Sequence, residues 1–149
     1  MVRSGVRGTL VALTGVVLAT VFSQAQVTAQ GAGQSLGSVN VNRSVIANGQ
    51  PLAAGTYTLR LLPDELSRVV GQTPSESKWV EFVRGGKVVG KEVATVLTGP
   101  EARTVAKGSG PASGSARTQL LKGNEYLRIW INRGGTHYLI HLPTGATTE

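Results

Sequence analysis

Tyr126-Leu127-Arg128-Ile129-Trp130-Ile131-Asn132-Arg133-Gly134-Gly135-Thr136-His137-Tyr138-Leu139-Ile140-His141-Leu142 decides the fold. Two runs rich in β-branched and aromatic residues flank Gly134-Gly135, the pattern of a tight hairpin whose two central residues take positive φ. A two-residue loop pairs Ile131 with Tyr138, Ile129 with Ile140 and Leu127 with Leu142, making one face wholly apolar. A slip of one residue would bring Arg128 and Trp130 into that face, so the pattern specifies the register. These six residues are the expected core. The other face gathers Tyr126, Arg128, Trp130, Asn132, His137, Leu139 and His141. Rings beside hydrogen-bonding groups stack on sugars or anchor a protein partner, which makes Tyr126, Arg128, Trp130, His137 and His141 the candidate binding residues. The competing reading packs this face against a second sheet, with Trp130 and Leu139 as core.

Upstream, Lys78 to Leu97 repeats the arrangement around Gly85-Gly86. The same pairing rule places Val80, Phe82, Val89 and Val93 on one side, and Trp79, Glu81, Val83, Val88 and Glu92 on the other. The alternation does not decide which side is buried. Val39, Val41 and Val45 alternate with Asn40, Asn42 and Ser44 before an Asn48-Gly49 turn. Tyr57, Leu59 and Leu61 alternate with Thr56, Thr58 and Arg60 up to Pro63-Asp64. Between the hairpins, Gly99 to Arg117 is rich in Gly, Pro, Ala and Ser and reads as a flexible loop. No window carries a helical stripe. Six or seven short strands with short connections predict an all-β domain, a small antiparallel β-sandwich or, as the alternative, a small β-barrel.

The chain of 149 residues opens with Arg3 and Arg7, an uncharged apolar run from Gly8 to Phe22, and small residues at signal-peptidase spacing. This predicts a signal peptide over residues 1–25, with cleavage after Ala25 or, in a second register, after Ala29. The apolar run falls short of the roughly 20 residues that span hydrocarbon, so no stable membrane insertion is expected after cleavage. Removing 25 residues from 149 leaves 124, enough for one core without staples. Residues 26–37 read as a flexible leader and 38–149 as a single domain. The location expected is periplasmic or secreted.

Composition narrows the function. The absence of cysteine excludes disulfides, thiolate metal sites, cysteine nucleophiles and a lipidated cysteine. The formal charge of +7 falls to +5 once Arg3 and Arg7 leave. The basic residues are dispersed rather than gathered in a stripe, which argues against nucleic acid. Gly33-Gln34-Ser35-Leu36-Gly37 matches the G-x-S-x-G of a nucleophile elbow, but no strand precedes it and no helix follows. His137 and His141 lie on a strand, where four residues span about 13 Å, too far to share one ion. Glu81 and Glu92 fall diagonally on one hairpin face, near enough to act as paired carboxylates, against the commoner reading of two solvated surface glutamates. Asp64 is the sole aspartate, leaving a catalytic triad or calcium loop without material. An enzyme, a metal and a cofactor are therefore not expected.

Asn48-Gly49-Gln50-Pro51-Leu52-Ala53-Ala54-Gly55-Thr56-Tyr57-Thr58-Leu59-Arg60-Leu61 resembles the G-x-x-L-P-A-G-T-Y-x-L/V segment of exported bacterial β-sandwich domains. These are the carboxypeptidase-regulatory, transthyretin-like group and small uncharacterised exported proteins with the same hook. The resemblance covers fourteen residues and departs from the group in Ala53, where Pro is usual, and in lying close to the mature N-terminus. It implies that Gly55 lets the chain into the strand, that Tyr57 packs inside, and that the domain has a structural or binding role. The resulting expectation is an exported, non-catalytic binding or structural module. Its partner would be a cell-envelope polysaccharide or another envelope protein. The alternatives are a small envelope-polymer hydrolase and an accessory subunit that docks a larger assembly through a sheet edge.

Overall fold

A computed structural model describes residues 33–65 and 76–145. The expected signal peptide and most of the expected leader lie outside the described residues. Among the described residues the fold is all-β and antiparallel with one short helix. In chain order the elements are β1 (Gln34–Val41), β2 (Val45–Ala47), β3 (Gln50–Leu52), β4 (Gly55–Glu65), β5 (Glu76–Arg84), β6 (Lys87–Thr98), α1 (Gly99–Ala106), β7 (Ala116–Leu121), β8 (Tyr126–Arg133) and β9 (Thr136–Pro143).

Seven strands form one sheet in the order β1-β4-β5-β6-β9-β8-β7, and β2 and β3 form a separate ribbon. The sheet consists of two meanders, β4-β5-β6 and β9-β8-β7, joined through the single β6–β9 ladder, with β1 added beside β4. It curls until β1 and β7, its two edges, come within 8 Å without pairing. At that seam the Arg133 guanidinium lies against Gly37, where β1 carries a bulge.

The β8–β9 hairpin holds the register its alternation specifies, with Ile131 opposite Tyr138, Ile129 opposite Ile140 and Leu127 opposite Leu142. Gly134 and Gly135 have φ of 60° and 89°, the type I′ geometry that matches the right-handed twist of the flanking strands. All six core residues are buried on the inner face, together with Val39, Val41, Tyr57, Leu59, Leu61, Val80, Phe82 and Ala94. The β2–β3 ribbon closes over them, contributing Val45, Ala47 and Leu52 to the same cluster. Glu92 tethers this ribbon, since its carboxylate accepts the Asn48 backbone N–H at 2.6 Å.

Tyr57 is buried, and its hydroxyl donates to the Ala53 carbonyl, tying the start of β4 to the chain before it. Gly55 opens β4 with Arg84 laid over it and over the Tyr57 ring, 5.6 Å from the ring centre.

Several expectations are corrected. The leader read over residues 26–37 loses its last four residues to β1, because Leu36 is a core residue. The stretch Val39 to Ala47 breaks at residues 42–44, and its two halves join different sheets. In the β5–β6 hairpin Val80 and Phe82 face the core. A bulge, however, sets Gly90 opposite Phe82 and Val88 opposite Val83. That extra residue leaves Val89 exposed, turns Val93 outward opposite Trp79 and brings Glu92 to the inner side opposite Val80. The loop read over Gly99 to Arg117 starts with α1 and ends in β7.

Ile129 has no exposed surface and sits at the centre of the inner cluster. Ile129→Ala is expected to destabilise the protein by about 3 kcal/mol through lost transfer energy and the cavity left behind. Urea unfolding monitored by far-ultraviolet circular dichroism measures it, with the slope of the transition unchanged.

Candidate functional site: the outer face of the sheet

The candidate binding residues all come from β8 and β9, and the structure divides them into two sets. Trp130 and Leu139 are buried under α1, forming a second apolar cluster with Ala102, against which Leu97 and Ala106 pack. The cover is a helix rather than the second sheet that the sequence suggested. α1 starts at a capping-box acid: the Thr98 N–H and hydroxyl both donate to the Glu101 carboxylate, at 2.8 and 2.7 Å. The hydroxyl is the larger cause, and together they hold the Glu101 pKa below the ordinary carboxylate value. The helix ends at Lys107 in the left-handed region, φ 54°, and the chain returns over Trp130 to reach β7.

Polar side chains of the outer face stitch this return down. Asn132 donates to the Pro111 carbonyl at 3.0 Å, Arg117 to the Ser109 carbonyl at 3.1 Å and Arg128 to the Ala106 carbonyl at 3.4 Å. Backbone bonds between Asn132 and residues Gly114 and Ser115 complete the seam. Gly110 lies directly on the rings: a Cβ there would sit 2.8 Å from Trp130 Cζ2 and 3.0 Å from His137 Cε1.

His137 is 6 % exposed and Trp130 1 % exposed. The Trp130 indole N–H donates to His137 Nδ1 at 2.8 Å. Indole nitrogen is a donor only, so Nδ1 is unprotonated and the imidazole is neutral with its proton on Nε2. Burial, and secondarily the positive charge of Arg103, push the His137 pKa down. His141 is exposed at the other end of β9, where its Nε2 accepts from Arg128 Nε at 3.0 Å. Desolvation and then the Arg128 charge lower its pKa too. The two histidines thus stand apart with different partners. Among the described residues no group of three or more His, Cys, Asp or Glu side chains is placed to hold a metal ion.

The lower half of the outer face is uncovered. Trp79 stands opposite Val93, and Arg128 opposite His141. The Ala94–Ile140 pair joins these two halves one residue away, so a row runs Trp79, Val93, His141, Arg128 and, through β7, Gln119. Three strand spacings separate Trp79 from Arg128, about 14 Å. Lys91 stacks on the half-exposed Trp79 ring with Nζ 4.5 Å from its centre, and Lys122 on Tyr126 at 5.4 Å. Sequence reasoning missed Trp79, Lys91 and Lys122 as members of this surface. The apolar-polar alternation of β6 carries no sign of the bulge that aligns them.

Glu81 and Glu92 are not paired carboxylates. Glu81 lies on the outer face with Arg60, whose guanidinium is 3.1 Å away, while Glu92 lies on the inner side. Gly33 to Gly37, the G-x-S-x-G match, begins just before the edge strand β1 and runs along it with no helix following.

Comparison with protein-family models, with curated proteins and with solved structures finds no match.

Both histidines have folded-state pKa values below their unfolded ones. Their contribution to stability is therefore complete above the unfolded value, about 6.5, and is lost as pH falls through the folded values. Chemical denaturation from pH 7.5 downward should show stability declining below about pH 6.5, and declining less in His137→Asn. Gly110→Ala should destabilise the protein by roughly 1–3 kcal/mol, because the added carbon overpacks the Trp130 and His137 rings. Its melting temperature checks this.

Proposed function

We propose that this chain is an exported, non-catalytic β module that binds anionic polysaccharide of the cell envelope on the uncovered half of its outer face. The observation that carries the reading is the pair of lysine-capped rings, Lys91 on Trp79 and Lys122 on Tyr126, flanking the Arg128–His141 pair. A ring face offers a flat apolar surface for the C–H side of a sugar, and an adjacent ammonium or guanidinium neutralises a carboxylate on the same residue. The single carboxylate of the neighbouring row, Glu81, is already bonded to Arg60, so the surface keeps a net positive charge. Stacking supplies sequence-tolerant contact, and the cations supply preference for acidic over neutral polymers. Export places such a surface among envelope polymers.

Isothermal titration with polygalacturonate, a uronic-acid polymer, tests the reading against neutral dextran. Binding to the acidic polymer is expected, weakening as salt is raised because the charges are exposed. Trp79→Ala and Tyr126→Ala should each cost roughly tenfold in affinity, the loss typical of an aromatic anchor. Equal affinity for the neutral polymer, or an affinity indifferent to both ring substitutions, defeats the proposal.

A further inference from the structure

We propose that α1 and the segment that follows it to Ser115 form a strap that lifts from the sheet when His137 is protonated, uncovering Trp130 and Leu139. The inference is independent of the ligand argued above and rests on the geometry beneath the strap. His137 Nδ1 is the acceptor for the Trp130 N–H at 2.8 Å, in a place from which both rings are almost wholly shut off from water. Protonation of the imidazole puts an N–H at Nδ1, so that two donors face each other at hydrogen-bond distance. Turning the imidazole away would leave the indole N–H buried without a partner, which is itself costly. The room above the rings is small, since even a Cβ on Gly110 would sit 2.8 Å from Trp130 and 3.0 Å from His137.

The field at His137 is unfavourable to a new positive charge. On α1 the nearest charge is Arg103, whose field already opposes protonation of His137, and Lys107 closes the helix. The acid of α1, Glu101, is bonded to Thr98. Residues 108–115 contain no titratable side chain. β8 presents Asn132 opposite His137 and Arg128 two residues beyond Trp130. β9 presents His141, β7 presents Arg117, and β6 presents Leu97 opposite His137. Protonation thus adds a positive charge where that of Arg103 is already felt.

The strap itself is lightly held. Its apolar anchors are small, namely Ala102 and Pro111, both buried, and Ala106, packed at the edge of the Trp130 cluster; the other attachments are the hydrogen bonds of Asn132, Arg117 and Arg128 to three carbonyls and the Asn132 backbone seam. A unit that buries so little apolar surface opens at a fraction of the global unfolding cost. The inner cluster does not depend on it, since Ile129, Ile131 and Ile140 point to the opposite side of the sheet. Lifting the strap would join Trp130 to the exposed row of Trp79, His141 and Arg128.

The test uses the full chain with Trp79→Phe, so that Trp130 is the single fluorescent tryptophan. Acrylamide quenching is followed from about pH 7.5 to about pH 4.5, the range in which histidine titrates, alongside far-ultraviolet circular dichroism. Quenching is expected to rise several-fold as pH falls, with the β spectrum unchanged. In the added background of His137→Asn, which keeps a neutral acceptor, the rise should vanish. Arg103→Ala should move its midpoint to higher pH by removing the opposing charge. The proposal is overturned if Trp130 stays shielded while the β spectrum persists, or becomes accessible only as that spectrum collapses. Persistence of the step in a folded His137→Asn protein overturns it as well. Should that variant fail to fold, the Arg103→Ala midpoint decides, and a midpoint that stays put or falls is the negative result.

Discussion

The β8–β9 hairpin has large apolar side chains to bury on both faces, a whole row on one and Trp130 with Leu139 on the other, and the rest of the molecule answers to that constraint. An antiparallel hairpin with one greasy side needs one cover, whereas this one needs two. The inner side, with Ile129, Ile131, Ile140 and Leu142, is closed by the curl of the sheet and by the β2–β3 ribbon. The outer side, with Trp130 and Leu139, is closed by α1. Each cover is an excursion from the sheet: residues 42–54 between β1 and β4, and residues 99–115 between β6 and β7. The ribbon is fixed mainly by apolar burial with one carboxylate tether, and the strap mainly by polar bonds to side chains of the hairpin. The two covers therefore differ in how firmly they hold.

What the sequence revealed follows the same logic. Strict alternation around paired glycines determined the β8–β9 register down to each pair, because a slip there would bury Arg128. In the β5–β6 hairpin two adjacent valines, Val88 and Val89, sit beside the turn, and apolar residues in succession carry no phase information. The bulge that absorbs one of them reverses the facing of Glu92 and Val93, so the surface around Trp79 was not legible. α1 was hidden by its composition, since Gly99, Pro100 and Thr104 are poor helix formers and only Ala102 needs burial. Its one local signal was present at Thr98 and Glu101, the spacing of a capping box with Pro just inside the start.

The candidate site shows why such a patch is hard to read from one strand pair. Tyr126, Arg128, Trp130, His137 and His141 share a face, as alternation requires, yet they experience two environments. Trp130 and His137 are sealed and bonded to each other, whereas Tyr126, Arg128 and His141 meet solvent in part or in full. The dividing line is drawn by residues 99–115, which lie outside the hairpin and which a pattern of period two within it cannot register. Arg128 straddles that line, with one bond to His141 in the open half and one to the end of α1 in the closed half.

The joining of the two meanders through one ladder also governs how the polypeptide assembles. Within β4-β5-β6 and within β7-β8-β9 each strand pairs with its neighbour in the chain, so either half forms through short-range contacts. Docking β6 on β9 then closes a loop that contains α1, β7 and β8. Non-local pairing of this kind is the slow step in β proteins, because chain entropy is lost before the contacts form. The helix lies over the very junction that this late event creates, so it can settle only after the halves have met. The cover over Trp130 is thus tied to the one ladder that unites the two halves.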